Sequence, residues 1–420
     1  MSTRNISINL VWTLLVFFVV DLYLYLAFRK SFNRHRLRSF LHILYLGSVV
    51  LSYVGLYVLY DTFTNKPLQV GWSVNLAIGF FFSFLLFRML MFVFFFLEDI
   101  IRTMRFFFVI AGKIWHSEKK KLTFSGRRGF IRNTGLLVAG IPFASMLYGI
   151  TKGKYDFKVK RVRLAFENLP EAFEGFRIVQ ISDIHSGSFD DREAVLRGIE
   201  MTNNEEADLV LFTGDLVNND SREIIPYLED FKKLSAPYGV YSVLGNHDYG
   251  DYKQWESVEA KQENMELLFD LQDKMGFKLL NNAHAIIKKG GDSIGIYGVE
   301  NWGNPPFPQR GDLDKALSGS EDCGFKILLS HDPTHWDKKV IYHPIHIDLT
   351  LSGHTHGMQF GVEIPGFKWS PIKYIYPQWA GLYKKNRRYL YVNRGFGYLG
   401  FPGRVGIWPE ITTFELTSKI

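Results

Sequence analysis

Ile178-Val179-Gln180-Ile181-Ser182-Asp183-Ile184-His185 is a short apolar run that stops on an aspartate and a histidine two residues apart. Working outward from it, four more apolar runs end on polar blocks of the same kind. Leu209 to Phe212 precedes Gly214-Asp215, and Val240 to Leu244 precedes Gly245-Asn246-His247-Asp248. Ile327 to Leu329 precedes Ser330-His331, and Ile347 to Leu351 precedes Gly353-His354-Thr355-His356. Apolar runs of this length bounded by turn residues read as buried strands, and loops at the carboxyl ends of neighbouring strands converge in open α/β sheets. Two aspartates, an asparagine and four or five histidines with no thiolate form an oxygen and nitrogen nest suited to a pair of divalent metals. Between the runs, Asp190 and Asp191 are placed to cap a helix reaching about Asn203, and Ser221 to cap another reaching Leu234. A third helix is expected over Gln254 to Lys274, with Gly276 as its stop. The fold class is therefore α/β from Lys152 onward.

The first 151 residues follow a different pattern. Ile8 to Phe28, Leu41 to Asp61 and Trp72 to Leu97 each match the ~20 apolar residues that cross a bilayer, and Gly135 to Ile150 is a shorter fourth candidate. The expected organisation is an all-α transmembrane domain of about four helices over 1–151, followed by a catalytic domain over 152–420. Phe106 to Trp115 is too short to span and is expected along the interface. Asp21 falls inside the first span, where a carboxylate is a functional candidate by default; its nearness to the basic end favours snorkelling or helix packing. The other spans offer no polar partner for it on sequence.

The formal charge of +7 does not point to nucleic acid, because the basic residues concentrate beside the apolar runs. Arg29, Lys30, Arg34, Arg36 and Arg38 follow the first span, and Arg102, Arg105, Lys113, Lys119, Lys120, Lys121, Arg127, Arg128 and Arg132 follow the third, whereas Thr62 to Gly71 holds only Lys66. The positive-inside rule puts both basic loops in the cytoplasm, so four spans deliver the C-terminal domain outside it and three would keep it inside. Ser125 to Arg132 resembles a twin-arginine export signal, with Gly126 interposed between the serine and the arginine pair. Cys323 is the single cysteine, which rules out an internal disulfide.

Taken together and in order, the five blocks resemble the calcineurin-like metallophosphoesterase superfamily over residues 172–418. Asn393-Arg394-Gly395-Phe396-Gly397, Arg404, Pro409-Glu410-Ile411 and Phe414-Glu415-Leu416 resemble its membrane-attached bacterial phosphodiesterases. The resemblance implies an αββα sandwich. It implies that Asp183, His185 and His356 hold one metal, that Asn246, His331 and His354 hold a second, and that Asp215 bridges them. The ions would be Mn, Fe, Zn or Co, and a hydroxide shared between them would attack phosphorus. His247 is implied as the catalyst that is not a ligand, with Asp248 as the carboxylate favouring its imidazolium form. Gly245, Gly353 and Gly357 are expected at sharp turns, and Met358 stands where the family often has glycine.

The function expected is a membrane-anchored phosphoesterase, a phosphodiesterase in the first instance, in a bacterial inner membrane with an extracytoplasmic site. The partners are a phosphoester substrate, potentially lipid-linked, and membrane lipid. A cytoplasm-facing hydrolase of a lipid-linked nucleotide sugar pyrophosphate, of the UDP-diacylglucosamine type, is the alternative. A phosphoesterase fold used only as a scaffold would have lost a ligand, and all seven positions are filled. Phe367 to Tyr383, with Trp369, Tyr374, Tyr376 and Trp379, either meets headgroups or packs as an ordinary loop. His284, His335, His343 and His346 read as packing or surface residues.

Overall fold

The computed structural model describes residues 3–31, 36–65, 67–115 and 125–418. Arg34, Lys66 and Lys119 to Lys121, used above for orientation, lie outside them. The chain divides into two compact units, Met1–Asn65 with Leu76–Tyr148, and Lys66–Asn75 with Gly149–Ile420. The segment Lys66–Asn75 thus groups with the second unit rather than with the helices that flank it in sequence.

The first unit is built from α1 (Thr3–Ser31), α2 (Arg38–Asn65), α3 (Trp72–Trp115) and α4 (Ser125–Thr151). Among the described residues, Arg38–Asn65, Trp72–Ile110 and Gly129–Thr151 are long and apolar enough to cross a membrane. The short fourth candidate therefore lies in a helix of sufficient length. The expected interfacial segment at Phe106 to Trp115 is not a separate element, because α3 runs through it for 44 residues. No proline or glycine interrupts 98–105, and Arg102 pairs with Glu98 at 2.6 Å one turn earlier, so nothing stops the helix where the apolar span ends.

Asp21 does have a partner, contrary to the sequence reading. Arg88 of α3 reaches its two carboxylate oxygens at 3.0 and 2.8 Å and donates to Ser52 Oγ of α2 at 2.8 Å. The guanidinium also lies 5.2 and 5.0 Å from the ring centres of Phe17 and Phe84. One buried fork thereby ties three helices. Removing one partner of such a pair strands a buried charge, whereas replacing both by apolar groups costs far less. Arg88→Met should lower the stability of the protein in detergent by about 3–5 kcal/mol. The double change Asp21→Leu with Arg88→Met should recover most of the loss. Equal melting temperatures for the single variant and the parent would show that the pair contributes nothing.

In the second unit, alternation sets the layers. Six strands form one sheet in the order β1 (Lys158–Ala165), β14 (Glu410–Thr417), β2 (Arg177–Ile181), β3 (Leu209–Phe212), β4 (Val240–Ser242), β5 (Phe277–Leu279). A second sheet has the order β12 (Gly381–Lys385), β13 (Arg388–Val392), β9 (Leu349–Ser352), β8 (Lys326–Leu329), β7 (Asp292–Gly298), β6 (Ala283–Lys289). Leu209 and Leu211 of β3 share a core with Ile327 and Leu329 of β8 and Leu349 and Leu351 of β9, so this face lies between the sheets. Their neighbours Val210 and Phe212 pack instead with Val195 and Ile199 of α5 (Arg192–Asn203) and Leu268 and Leu271 of α7 (Val258–Lys274). Leu328 packs with Leu313 and Leu317 of α8 (Leu313–Leu317) and Trp336 of α9 (Thr334–Lys338). Period-two side chains with both faces covered give the expected αββα order of layers.

Three local expectations need correction. Asp191 alone caps α5, accepting from Ala194 N at 3.0 Å. Asp190 instead accepts from Lys154 Nζ at 2.5 Å, Tyr155 OH at 2.9 Å and Asn75 Nδ2 at 2.8 Å. Ser221 is not a cap either. Asp220 caps a 3₁₀ stretch, Ser221–Tyr227, in a capping box with Glu223, and only α6 (Leu228–Phe231) follows as α-helix. Pro226, which has no N–H to donate, explains the broken helix. Finally α7 begins at Val258 behind Ser257, not at Gln254.

Candidate metal centre

β2, β3 and β4 run parallel in one sheet, and β8 and β9 run parallel in the other, so their carboxyl ends meet at one end of the sandwich. The chain leaves these ends under strain. Asp183, His185, Asp215, His354 and His356 all have left-handed backbone, with φ of 52°, 48°, 60°, 72° and 48°. Such a conformation costs a residue with a Cβ about 1–2 kcal/mol, and it persists only where the surroundings enforce it. Gly245 and Gly353 serve close approach rather than positive φ. A Cβ on Gly245 would collide with the Asp215 carboxylate, and one on Gly353 with the Asp183 carboxylate. Gly357 is the one of the three with positive φ, at 53°.

The strand ends gather two groups of side chains that could each hold a cation. Asp183, His185 and His356 present ligand atoms within 4.8 Å of one another, and so do Asp215, His331 and His354. Asn246 joins the second group, with its Oδ1 2.8 Å from His354 Nδ1. One oxygen links the two groups, since Asp215 Oδ2 lies 3.4 Å from His185 Nε2 and 3.1 Å from His331 Nε2. His356 Nε2 lies 3.3 Å from Asp183 Oδ1. The seven residues named from sequence therefore do come together.

The far side of each ring is held. His185 Nδ1 meets Asn218 Oδ1 at 3.1 Å, His331 Nδ1 meets the Thr213 carbonyl at 2.7 Å, and His356 Nδ1 meets Arg404 at 3.1 Å. His354 Nε2 meets Tyr376 OH at 2.8 Å, with Asp332 Oδ2 at 3.5 Å. Orientation through the second nitrogen is what a metal-binding imidazole requires. By contrast Nε2 of His185, His331 and His356 is buried and makes no hydrogen bond. Three sealed ring nitrogens, each 3.1 to 3.4 Å from an oxygen of Asp183 or Asp215, fit a pair of divalent cations that would take the place of any proton they hold. Asn218 and Asp332 received no role on sequence, Tyr376 was named only within the aromatic stretch, and Arg404 only within the tail that carries the resemblance. Asp332 follows His331 directly, which is the one adjacency that could have flagged it.

Asp248 does not pair with His247. Its oxygens accept from the backbone N–H groups of Gly245, Asp215, Leu216 and Val217 at 2.8 to 3.2 Å, which fastens two of the loops together. His247 Nδ1 instead meets the Asn218 carbonyl at 2.8 Å, so that nitrogen carries a proton and the other is left for exchange. His247 is only half-buried, and its backbone N–H donates to Asp215 Oδ1 at 2.8 Å.

Electrostatics describe a nest that wants positive charge. Burial pushes Asp183 up to about 7, and the neighbouring Asp215 adds to the rise. Burial would strip His331 of its proton, but Asp215 overrides it and lifts the imidazole to about 10. Burial holds His185 down at about 3 and keeps His354 and His356 below the usual range, so these rings are neutral with lone pairs available.

Comparison with known proteins agrees with this geometry. Residues 176–358 match the family model described as calcineurin-like phosphoesterase, and residues 4–154 match one described as a probable calcineurin-like phosphoesterase transmembrane domain. The chain is 31% identical over 304 residues to the uncharacterized metallophosphoesterase YkuE of Bacillus subtilis, covering 70% of this chain and 98% of the relative. It is 32% identical over 298 residues to a zebrafish (Danio rerio) transmembrane protein with metallophosphoesterase domain, covering 69% of this chain and 63% of that one. Among solved structures, the sulfate thiohydrolase SoxB of Thermus thermophilus is similar at 13% identity and a TM-score of 0.35, over 60% of this chain and 58% of that one. The class is that of metal-dependent phosphoester hydrolases. The chain belongs to the calcineurin-like metallophosphoesterase family, and it joins that domain to transmembrane helices.

Loading the site with cations should displace protons, because His331 is raised well above neutral pH and Asp183 up to about neutral pH. Their pKa values are raised, so protons compete below about 10 for His331 and below about 7 for Asp183, and apparent metal affinity should climb as pH rises from 6 to 8. Calorimetry of metal binding in buffers of different ionisation enthalpy should register proton release. Heats that are the same in every buffer would contradict this electrostatic picture.

Proposed function

We propose that the protein is a binuclear phosphodiesterase whose site faces away from the cytoplasm. Asp183, His185 and His356 would hold one cation and Asn246, His331 and His354 the other, with Asp215 shared between the two groups. The observation that carries this reading is the single Asp215 oxygen lying 3.4 and 3.1 Å from a histidine of each group. Divalent ions bound there supply the positive charge that attracts phosphate and acidifies water. Mn, Fe, Zn and Co all accept this ligand set. In its imidazolium form His247 would give the proton on its second nitrogen to the departing oxygen and be left neutral, with the N–H that the Asn218 carbonyl accepts still in place. Preference for a diester monoanion is supported by Arg404. Its guanidinium, the only one contacting the two groups among the described residues, is buried behind His356 and donates to the Gly395 and Gly397 carbonyls, so it is withheld from substrate.

Sidedness is supported by the chain path. Asn75, in the first turn of α3, and Gly149 onward, at the end of α4, both belong to the catalytic unit. The loop before α3 holds Lys66 as its one basic residue, whereas the two other loops are strongly basic. The positive-inside rule then assigns the catalytic unit to the side opposite those basic loops.

Asp215→Asn should lose both metal content and hydrolysis of an aryl phosphodiester. Unchanged metal content by elemental analysis would remove Asp215 from the ligand set. His247→Ala should retain its metals while turnover falls by about 10²–10⁴, with a smaller loss for substrates whose leaving group is good. An equal loss for good and poor leaving groups would count against a proton-donating role. An alkaline phosphatase fused after Ile420 should be active; an inactive fusion would place the site on the cytoplasmic side and favour the nucleotide-lipid pyrophosphate instead.

A further inference from the structure

The metal loop continues into a two-stranded hairpin, β10 (Val362–Ile364) and β11 (Phe367–Trp369), that pairs with neither large sheet. The structure sorts the aromatic stretch of the sequence into two populations. Trp379 and Tyr376 are buried with Ala380 and Ile407 in a small core of their own. Ile364, Phe367 and Tyr374 stand out at 59%, 54% and 75% exposure, and Met358, Val362 and Ile375 are exposed with them. Ile364 and Phe367 face each other as cross-strand partners in the hairpin, and exposed apolar side chains grouped in this way mark a surface that is covered in use.

This ridge is fixed to the metal centre. Ser370 Oγ, immediately after β11, donates to the Gly357 carbonyl at 2.8 Å. Thr355 Oγ1 donates to the Trp379 carbonyl at 2.7 Å, and Tyr376 OH meets His354 Nε2 at 2.8 Å. Met358 follows His356 by two residues, and both it and Gln359 have left-handed backbone, at φ of 56° and 55°. Any molecule lying on the ridge is therefore held at a set distance from the two candidate metal groups.

We infer that the ridge receives the apolar chain of an amphiphilic phosphodiester, so that the substrate class is a lipid rather than a free soluble ester. This deepens the phosphodiesterase reading and rests on it for the catalytic step. The choice of a lipid over a protein partner follows from two features. The same chain carries membrane-spanning helices, which keep a bilayer permanently within its reach. Lys373 is exposed beside Tyr374, and a cation set among apolar side chains suits a phosphate headgroup above acyl chains, whereas the Lys368 ammonium is turned inward to the Ala380 carbonyl.

The test uses the full chain in nanodiscs with two synthetic diesters that share one leaving group, methyl p-nitrophenyl phosphate and hexadecyl p-nitrophenyl phosphate. The parent protein should have the higher kcat/KM on the hexadecyl ester. Changing Ile364→Ser, Phe367→Ser and Tyr374→Ser together should cut the hexadecyl-to-methyl ratio by about tenfold or more, because three apolar contacts are lost. Equal kcat/KM on the two esters in the parent, or a ratio untouched by the triple change, would overturn the inference. If neither ester is hydrolysed, the phosphodiesterase reading fails by itself, and a second measurement still decides the ridge. A fluorophore on Ile364→Cys, in a Cys323→Ser background, should be quenched by lipids that carry a quencher on the acyl chain. Absence of quenching, or quenching that depends only on protein concentration as two copies associate, would sink the lipid assignment.

Discussion

Two carboxylates with almost no access to water, Asp183 and Asp215, face a cluster of imidazoles at the end of the sandwich. An isolated buried charge of this kind is far too costly to persist, and the nest can settle only by taking up protons or cations. Much of the catalytic unit is arranged around that constraint. Strand ends deliver the ligands, five residues accept left-handed backbone, and two glycines leave room where any Cβ would strike a carboxylate oxygen. The outer nitrogens of the rings are tied down by Asn218, Thr213, Tyr376 and Arg404, which leaves Nε2 of His185, His331 and His356 buried without another hydrogen bond.

Asp248 shows how the strain is held. Its carboxylate collects four backbone N–H groups from the loops after β3 and β4, so the turn that presents Asp215 and the turn that presents Asn246 cannot move apart. Charge-assisted bonds from buried amides are among the stronger ones available to a loop. The catalytic histidine proposed here is oriented by a neutral carbonyl instead of by this carboxylate. The membrane unit uses a related device, a buried ion pair between Asp21 and Arg88 that joins three helices whose other contacts are mostly apolar and interchangeable.

How much was legible beforehand depended on whether a signal was local. The strands β2, β3, β4, β8 and β9 were readable because each is a short apolar run closed by a turn, and the blocks that follow them named all seven candidate ligands. Arg404 and Tyr376 carried no such signal, since each lies in a loop far from its partner in sequence and touches a ring that only folding brings near. Arg88 was overlooked for a similar reason, standing alone in an apolar helix with its carboxylate 67 residues away. The 3₁₀ start at Ser221 was misread because capping residues look alike in sequence, and Pro226 decides the outcome only through the helix it interrupts.

The sequence by itself determined the class of the fold, the presence of helices long and apolar enough to cross a membrane and the identity of the residues at the strand ends. Hydrophobic period and residue chemistry are local properties, and they survive in one dimension. The tertiary structure decided which oxygen lies between the two histidine groups, which side chains lock the rings and which aromatics stay exposed beside the metal loop. Those are distances between segments far apart in the chain, and they exist only once two sheets have packed face to face.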